Sequence, residues 1–162
     1  MNVQEATTRR LPDLKERHLP ENCRETINTI LKETYGYEQF RNLEIYDDLS
    51  KGKEKLCISQ GQLIENVILE AEKAWKSETQ VDNILLTAPT GSGKSLLFQL
   101  PAIYLGKEYN LLTIVVSPLK ALIVDQVESL QELGYARVAY ASSDLSPEQK
   151  MEVYRQVREG GD

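Results

Sequence analysis

Residues 85–101 read LLTAPTGSGKSLLFQLP, and no other stretch restricts the fold as much. The apolar run Asn83–Thr87 (NILLT) predicts a strand buried on both faces, as strands of parallel sheets are. It enters a turn holding Gly91 and Gly93, where glycine permits backbone angles that other residues resist. A helix is predicted from Lys94. Strand, glycine turn and helix in this order form an anion cradle: loop N–H groups converge, and the helix N-terminus adds partial positive charge. The strict phosphate-loop pattern is G-x-x-x-x-G-K-[ST]; this chain reads A-P-T-G-S-G-K-S, with Ala88 in the first place. The pattern assigns Lys94 to the β- and γ-phosphates and the Ser95 hydroxyl to Mg²⁺. Thr90, Gly91, Ser92 and Gly93 complete the expected triphosphate site.

The alternation continues downstream. Leu111–Val116 (LLTIVV) and Arg137–Ala141 (RVAYA) are predicted as second and third buried strands. Between them, Leu119, Leu122, Ile123, Val127 and Leu130 recur at helical spacing, and Gly134 is placed to end that helix. A last helix is predicted with Ser146 as cap, Pro147 in the first turn and Gln149 closing a capping box. The helix after the glycine loop is expected to be disturbed at Pro101. Strands alternating with helices imply an α/β fold with a parallel sheet and right-handed crossovers. Only three strands are visible, so residues 79–162 are read as an incomplete ATP-binding lobe, truncated inside a domain.

Upstream, residues 1–20 are polar, contain Pro12 and Pro20, and are expected to be a loose lead-in. Residues 21–78 are read as a helical N-terminal segment. One helix there carries Cys23, Ile27, Ile30 and Leu31 on one face, and a second starts near Ser59 with Ile64, Val67, Ile68, Ala71 and Trp75 facing the core. The intervening sequence is mixed and turn-rich.

With 41% hydrophobic residues and 27% charged ones, the chain can bury a core and stay in water. A net charge of −6 argues against nucleic-acid binding by the chain as a whole, although not against a local basic groove. Cys23 and Cys57 have no metal-binding spacing and fit a reducing compartment. No apolar run is long enough to span a bilayer and no export signal is visible; the expected location is cytoplasmic. The single histidine, His18, lies in the polar lead-in, where a catalytic or metal role is not expected.

The sequence around the glycine turn resembles the first motor lobe of superfamily 2 helicases, and within them the RecQ family of DNA helicases. The residues that carry this likeness are Phe98, Gln99 and Pro101 after the phosphate loop. Ser117, Pro118, Leu119, Asp125, Gln126 and Val127 of SPLKALIVDQV also match, as do Leu31, Tyr35, Gly36, Phe40 and Arg41 of LKETYGYEQFR. The resemblance covers most of residues 31–162. It implies a RecA-like lobe, ATP with Mg²⁺ as cofactor, and translocation on single-stranded DNA with duplex unwinding once the rest of the first lobe and a second RecA-like lobe are joined to it.

Two departures stand out. The family's N-terminal motif should end in a glutamine that reads adenine, and the spacing from Leu31 falls on Glu44. Gln62 lies 32 residues before Lys94, against 50 for Glu44, and is the preferred candidate, with Tyr35 and Arg41 near the base. The acidic pair of a D-E-x-H or D-E-x-D motif, which would help hold Mg²⁺, occurs nowhere in the sequence. The fragment is therefore expected to hydrolyse little by itself.

The same resemblance places Ser117 and Lys120 on the backbone of single-stranded DNA, with Ser142 as a further contact. Such contacts read phosphate rather than sequence. Three alternatives remain at this stage: another superfamily 2 translocase or RNA helicase, a non-catalytic nucleotide-binding module, and a small-molecule kinase. The last is disfavoured by the SPLKALIVDQV segment.

Overall fold

The computed structural model describes residues 16–46, 55–77, 81, 83–86 and 90–159. Helix α1, Glu21–Tyr35, follows Pro20 and ends at Gly36, whose φ of +69° allows its N–H to reach the Lys32 carbonyl at 3.0 Å. Its apolar face, Ile27, Ile30 and Leu31, is buried as the spacing predicts. Strands β1 (Asn42–Tyr46) and β2 (Lys55–Ser59) pair antiparallel, with Asn42 opposite Ser59 and Leu43 opposite Ile58. Helix α2 is Gln60–Trp75, α3 is Leu96–Tyr109, α4 is Lys120–Glu132 and α5 is Pro147–Glu159.

The core lies where α3 packs against α2 and α1. Ile27, Ile30, Leu31, Ile64, Ile68, Leu100, Ile103 and Tyr104 are its buried members. Pro101 does not disturb α3, which runs through it unbroken. A proline removes one N–H bond, and the close packing of this apolar helix outweighs that loss.

Several expectations need correction. The lead-in is not loose over its last residues. Leu19 is buried and its N–H donates to Glu65 Oε2 at 3.0 Å, His18 Nδ1 lies 3.4 Å from the same oxygen, and Arg17 pairs with Glu70 at 2.7 Å. The remainder of the lead-in lies outside the described residues. The turn-rich stretch before α2 contains the β1–β2 hairpin. Trp75 is 57% exposed, because α2 ends there, past the reach of α3.

The expected parallel sheet does not appear among the described residues, whose one sheet is the two-stranded hairpin. Leu85 is 91% exposed and Val116 is 90% exposed. A parallel strand hides both faces only between two helical layers. Helix α4 buries only Val127 and Leu130 and α5 buries nothing, so the second layer is not closed here. Thr87 lies outside the described residues, as does Ala88.

Two predicted helix ends match the structure. At the end of α4, Gly134 has φ +83°; its N–H reaches Gln131 O at 2.9 Å, and Tyr135 N–H reaches Leu130 O at 2.9 Å. This is the pair of bonds that satisfies the last free carbonyls. At α5, Ser146 N–H donates to Gln149 Oε1 at 2.8 Å and Gln149 N–H to Ser146 Oγ at 3.2 Å.

One contact between α2 and α3 gives a testable pH effect. Tyr109 Oη donates to Glu72 Oε1 at 2.6 Å. That bond, and then burial, push the Tyr109 hydroxyl up to about 12. A raised folded value means the stabilisation is complete below the ordinary tyrosine range near pH 10 and is lost as pH rises through about 12. Tyr109→Phe should cost about 1–2 kcal/mol at pH 7. The gap between wild type and variant in thermal melts should then close between pH 10 and 12.

Candidate nucleotide and nucleic-acid site

The glycine turn is described from Thr90 onward. Gly91 and Gly93 both have φ near +80°, the left-handed region that favours glycine. Ser95 is already helical, with φ −57° and ψ −41°. The first turn of α3 is tight: Leu96 N–H reaches Gly93 O at 3.2 Å and Leu97 N–H reaches Lys94 O at 3.0 Å. The Ser92 hydroxyl is buried without a hydrogen-bond partner among the described residues. A buried orphan hydroxyl is costly, and beside a helix N-terminus it is a donor ready for an anion. The residues present therefore suit a phosphate group.

Beside this turn lies a cavity of about 210 Å³ whose walls include Tyr35, Tyr37, Arg41, Gln60, Gly93 and Ser95. Tyr35 and Tyr37 are stacked, with ring centroids 6.4 Å apart and planes 12° from parallel. Tyr35 and Arg41 thus both line this cavity.

Gln62 is not among the residues that line this cavity. Gln62 spends its side-chain oxygen on the Ser59 N–H at 3.3 Å, closing the capping box of α2. Glu44 is on exposed β1, paired with Lys55 at 3.1 Å. Gln60 is the glutamine beside Arg41 in the cavity wall. It is 2% exposed, and its amide nitrogen donates to Ser92 O at 3.3 Å and to Gly93 O at 3.4 Å. Its amide oxygen accepts from Arg41 N–H at 3.1 Å, and its own N–H donates to Arg41 O at 2.9 Å. The hairpin explains this. Because Asn42 pairs with Ser59, the residues just outside it, Arg41 and Gln60, meet at its base. Arg41 and Gln60, separate in sequence, are therefore neighbours in space. The pattern was available: Leu43 and Ile45, and again Leu56 and Ile58, alternate with period two on either side of a turn-rich segment, which is a hairpin signal.

Before α4, Ser117 Oγ accepts from Leu119 N–H at 3.3 Å, which shapes the turn into that helix. Lys120 Nζ lies 2.6 Å from Asp144 Oδ1, and Asp144 N–H donates to Ser142 Oγ at 3.3 Å. Asp144 therefore draws Lys120 and Ser142 together. The Lys120 ammonium, by hydrogen bond and by charge, holds the Asp144 carboxyl below the usual carboxylate range.

A glycine turn opening onto a helix, with a glutamine amide and two stacked tyrosines beside it, is an arrangement that suits a nucleotide. Residues 68–160 match the DEAD/DEAH box helicase family. The ATP-dependent DNA helicase RecQ of Synechocystis sp. is 32% identical over 132 residues, 82% of this chain and 21% of its own length. RecQ of Haemophilus influenzae is 30% identical over 135 residues, 83% of this chain and 17% of that protein. ATP-dependent DNA helicase Q4 of Mus musculus is 42% identical over 74 residues, 46% of this chain and 6% of that protein. No solved structure matches. The chain belongs to the DEAD/DEAH box helicase family, and it spans about a fifth of the length of the RecQ helicases it is similar to. Among the described residues, no helix is long and apolar enough to cross a membrane.

Proposed function

We propose that this chain is the nucleotide-binding part of the first RecA-like lobe of a RecQ-type, ATP-dependent DNA helicase acting in the cytoplasm. In the proposed arrangement the phosphate tail rests on Thr90, Gly91, Ser92, Gly93, Lys94 and Ser95. Lys94 supplies positive charge and the Ser95 hydroxyl meets Mg²⁺, which when bound neutralises the phosphate charge. Adenine sits against Tyr35 and Arg41, and Gln60 in place of Gln62 reads its paired donor and acceptor edge by exchanging its bonds to Arg41, Ser92 and Gly93 for the base. Ser117, Lys120 and Ser142 hold the backbone of single-stranded DNA. The three apolar segments are proposed to join a parallel sheet completed by the rest of the lobe.

The observation that carries this reading is the Gln60 amide held between Arg41 and the carbonyls of Ser92 and Gly93. It ties the family's adenine motif to the phosphate loop. Gln60→Ala in the full-length protein should lower ATP affinity about tenfold, the worth of one or two hydrogen bonds, and bring it close to that for GTP. Gln62→Ala should cost about 1 kcal/mol of helix stability and leave nucleotide affinity unchanged. Isothermal titration with a non-hydrolysable ATP analogue reads both; the opposite pattern would return the role to Gln62. ATP turnover stimulated by RNA but not by DNA would refute a DNA motor.

The nucleic-acid half has its own test. Lys120→Ala should weaken single-strand binding and reduce the salt slope by about one unit, as loss of one phosphate contact does. Asp144→Asn removes the competing carboxylate and should strengthen binding by about threefold at low salt. Fluorescence anisotropy with oligo-dT at several salt concentrations distinguishes the two.

A further inference from the structure

Gln99 joins three helices. It sits on α3, one turn past the phosphate loop, and is 8% exposed. Its amide oxygen accepts from Tyr35 Oη on α1 at 3.3 Å, and its amide nitrogen donates to Gln126 Oε1 on α4 at 2.7 Å. Tyr35 and Gln99 both line the cavity beside the glycine turn. Gln126 lies on the helix that begins at Lys120, where the strand contacts are placed.

A primary amide has one donating and one accepting end, so the chain Tyr35–Gln99–Gln126 has a single direction. Once the tyrosine proton goes to Gln99, the other end of that amide is committed to Gln126. Helix α4 buries only Val127 and Leu130, so a 2.7 Å bond from the buried Gln99 side chain is a substantial part of what fixes it. Burial also disfavours the charged form of the Tyr35 hydroxyl, which keeps it a donor.

We propose that Gln99 is a positioning residue that couples occupancy of the nucleotide cavity to the setting of α4, and so to the grip of Ser117–Lys120 on a single strand. This rests on the function proposed above. A base entering against Tyr35 and Tyr37 shifts the tyrosine hydroxyl, the Gln99 amide follows, and its nitrogen moves or releases Gln126. Linkage requires the reverse effect to be equal: a bound strand must change nucleotide affinity by the same factor.

The test is the affinity of the full-length protein for a non-hydrolysable ATP analogue with Mg²⁺, with and without saturating oligo-dT. Wild type should show a coupling factor of about tenfold, within the usual range for linked sites. In Gln126→Leu, a residue outside the cavity wall, each separate affinity should stay within about twofold of wild type while the coupling factor falls below about two. Gln99→Leu should lose the coupling to the same extent, and the double variant should lose no further coupling, since both residues belong to one path. A purely structural role would instead lower both separate affinities and leave their ratio intact. Should Gln99→Leu melt too early to measure, Gln126→Leu at the far end of the chain decides the matter alone. Coupling that persists in the single variants, or a wild type that binds both ligands independently, overturns the relay and leaves the proposed function standing. A wild type that binds neither ATP analogue nor oligo-dT overturns the proposed function itself.

Discussion

Replacing Lys94 by alanine in the full-length protein should reduce ATP turnover by a hundredfold or more, about 3 kcal/mol of transition-state stabilisation, the usual worth of one aimed electrostatic group. The ammonium is the one cation of the turn and follows Gly93 directly. Charge on the transferring phosphoryl group is greatest in the transition state, so its removal strikes turnover harder than binding. The fold should survive. The Lys94 carbonyl accepts from Leu97 N–H at 3.0 Å in the first turn of α3, a bond that alanine keeps. An ATPase assay beside a thermal melt checks both halves. Undiminished turnover would remove the triphosphate reading of the glycine turn.

The second large effect concerns Gly93. With φ at +80°, a side chain there is strained by about 1–2 kcal/mol. A Cβ would also sit 2.5 Å from Gln60 Nε2, so the amide must leave the Ser92 and Gly93 carbonyls. Gly93→Ala should therefore lower nucleotide affinity by more than tenfold, since strain and loss of the amide act together. Gly91 is the control. It has the same φ, but nothing lies within 4 Å of its Cβ position, so Gly91→Ala carries the strain alone. Equal losses in the two variants would mean that the Gln60 contact has no bearing on nucleotide binding. A larger loss at Gly93 measures that contact directly.

Local chemistry was legible in the sequence wherever a few neighbouring residues decide the outcome. Gly134 and the Ser146–Gln149 pair end and start their helices as predicted, because each depends on bonds within one turn. Gly91 and Gly93 likewise adopt the backbone the loop pattern requires. The stripe of α2 was right at Ile64 and Ile68 and wrong at Trp75, since periodicity says which face a residue shares but not how far the neighbouring helix extends. The three apolar runs read as strands are not laddered among the described residues; hydrophobicity alone does not bring a pairing partner. Gln62 was preferred over Glu44, and Gln60 was not considered, because counting along the chain treats it as a ruler, and a hairpin between Arg41 and Gln60 makes that ruler misleading. Gln99 was noted as a family residue, but its bonds to Tyr35 and Gln126 span residues 35–126 and leave no trace in local pattern.

The closed base of the β1–β2 hairpin has a consequence for what this chain can tolerate. Arg41 and Gln60 hold each other through backbone and side-chain bonds at 2.9 and 3.1 Å, so the peptide between them can lengthen, shorten or diverge without moving the amide. Residues 42–59 thus occupy a natural graft point, where evolution, or an engineer attaching a reporter, can add material beside a nucleotide pocket while leaving its chemistry in register.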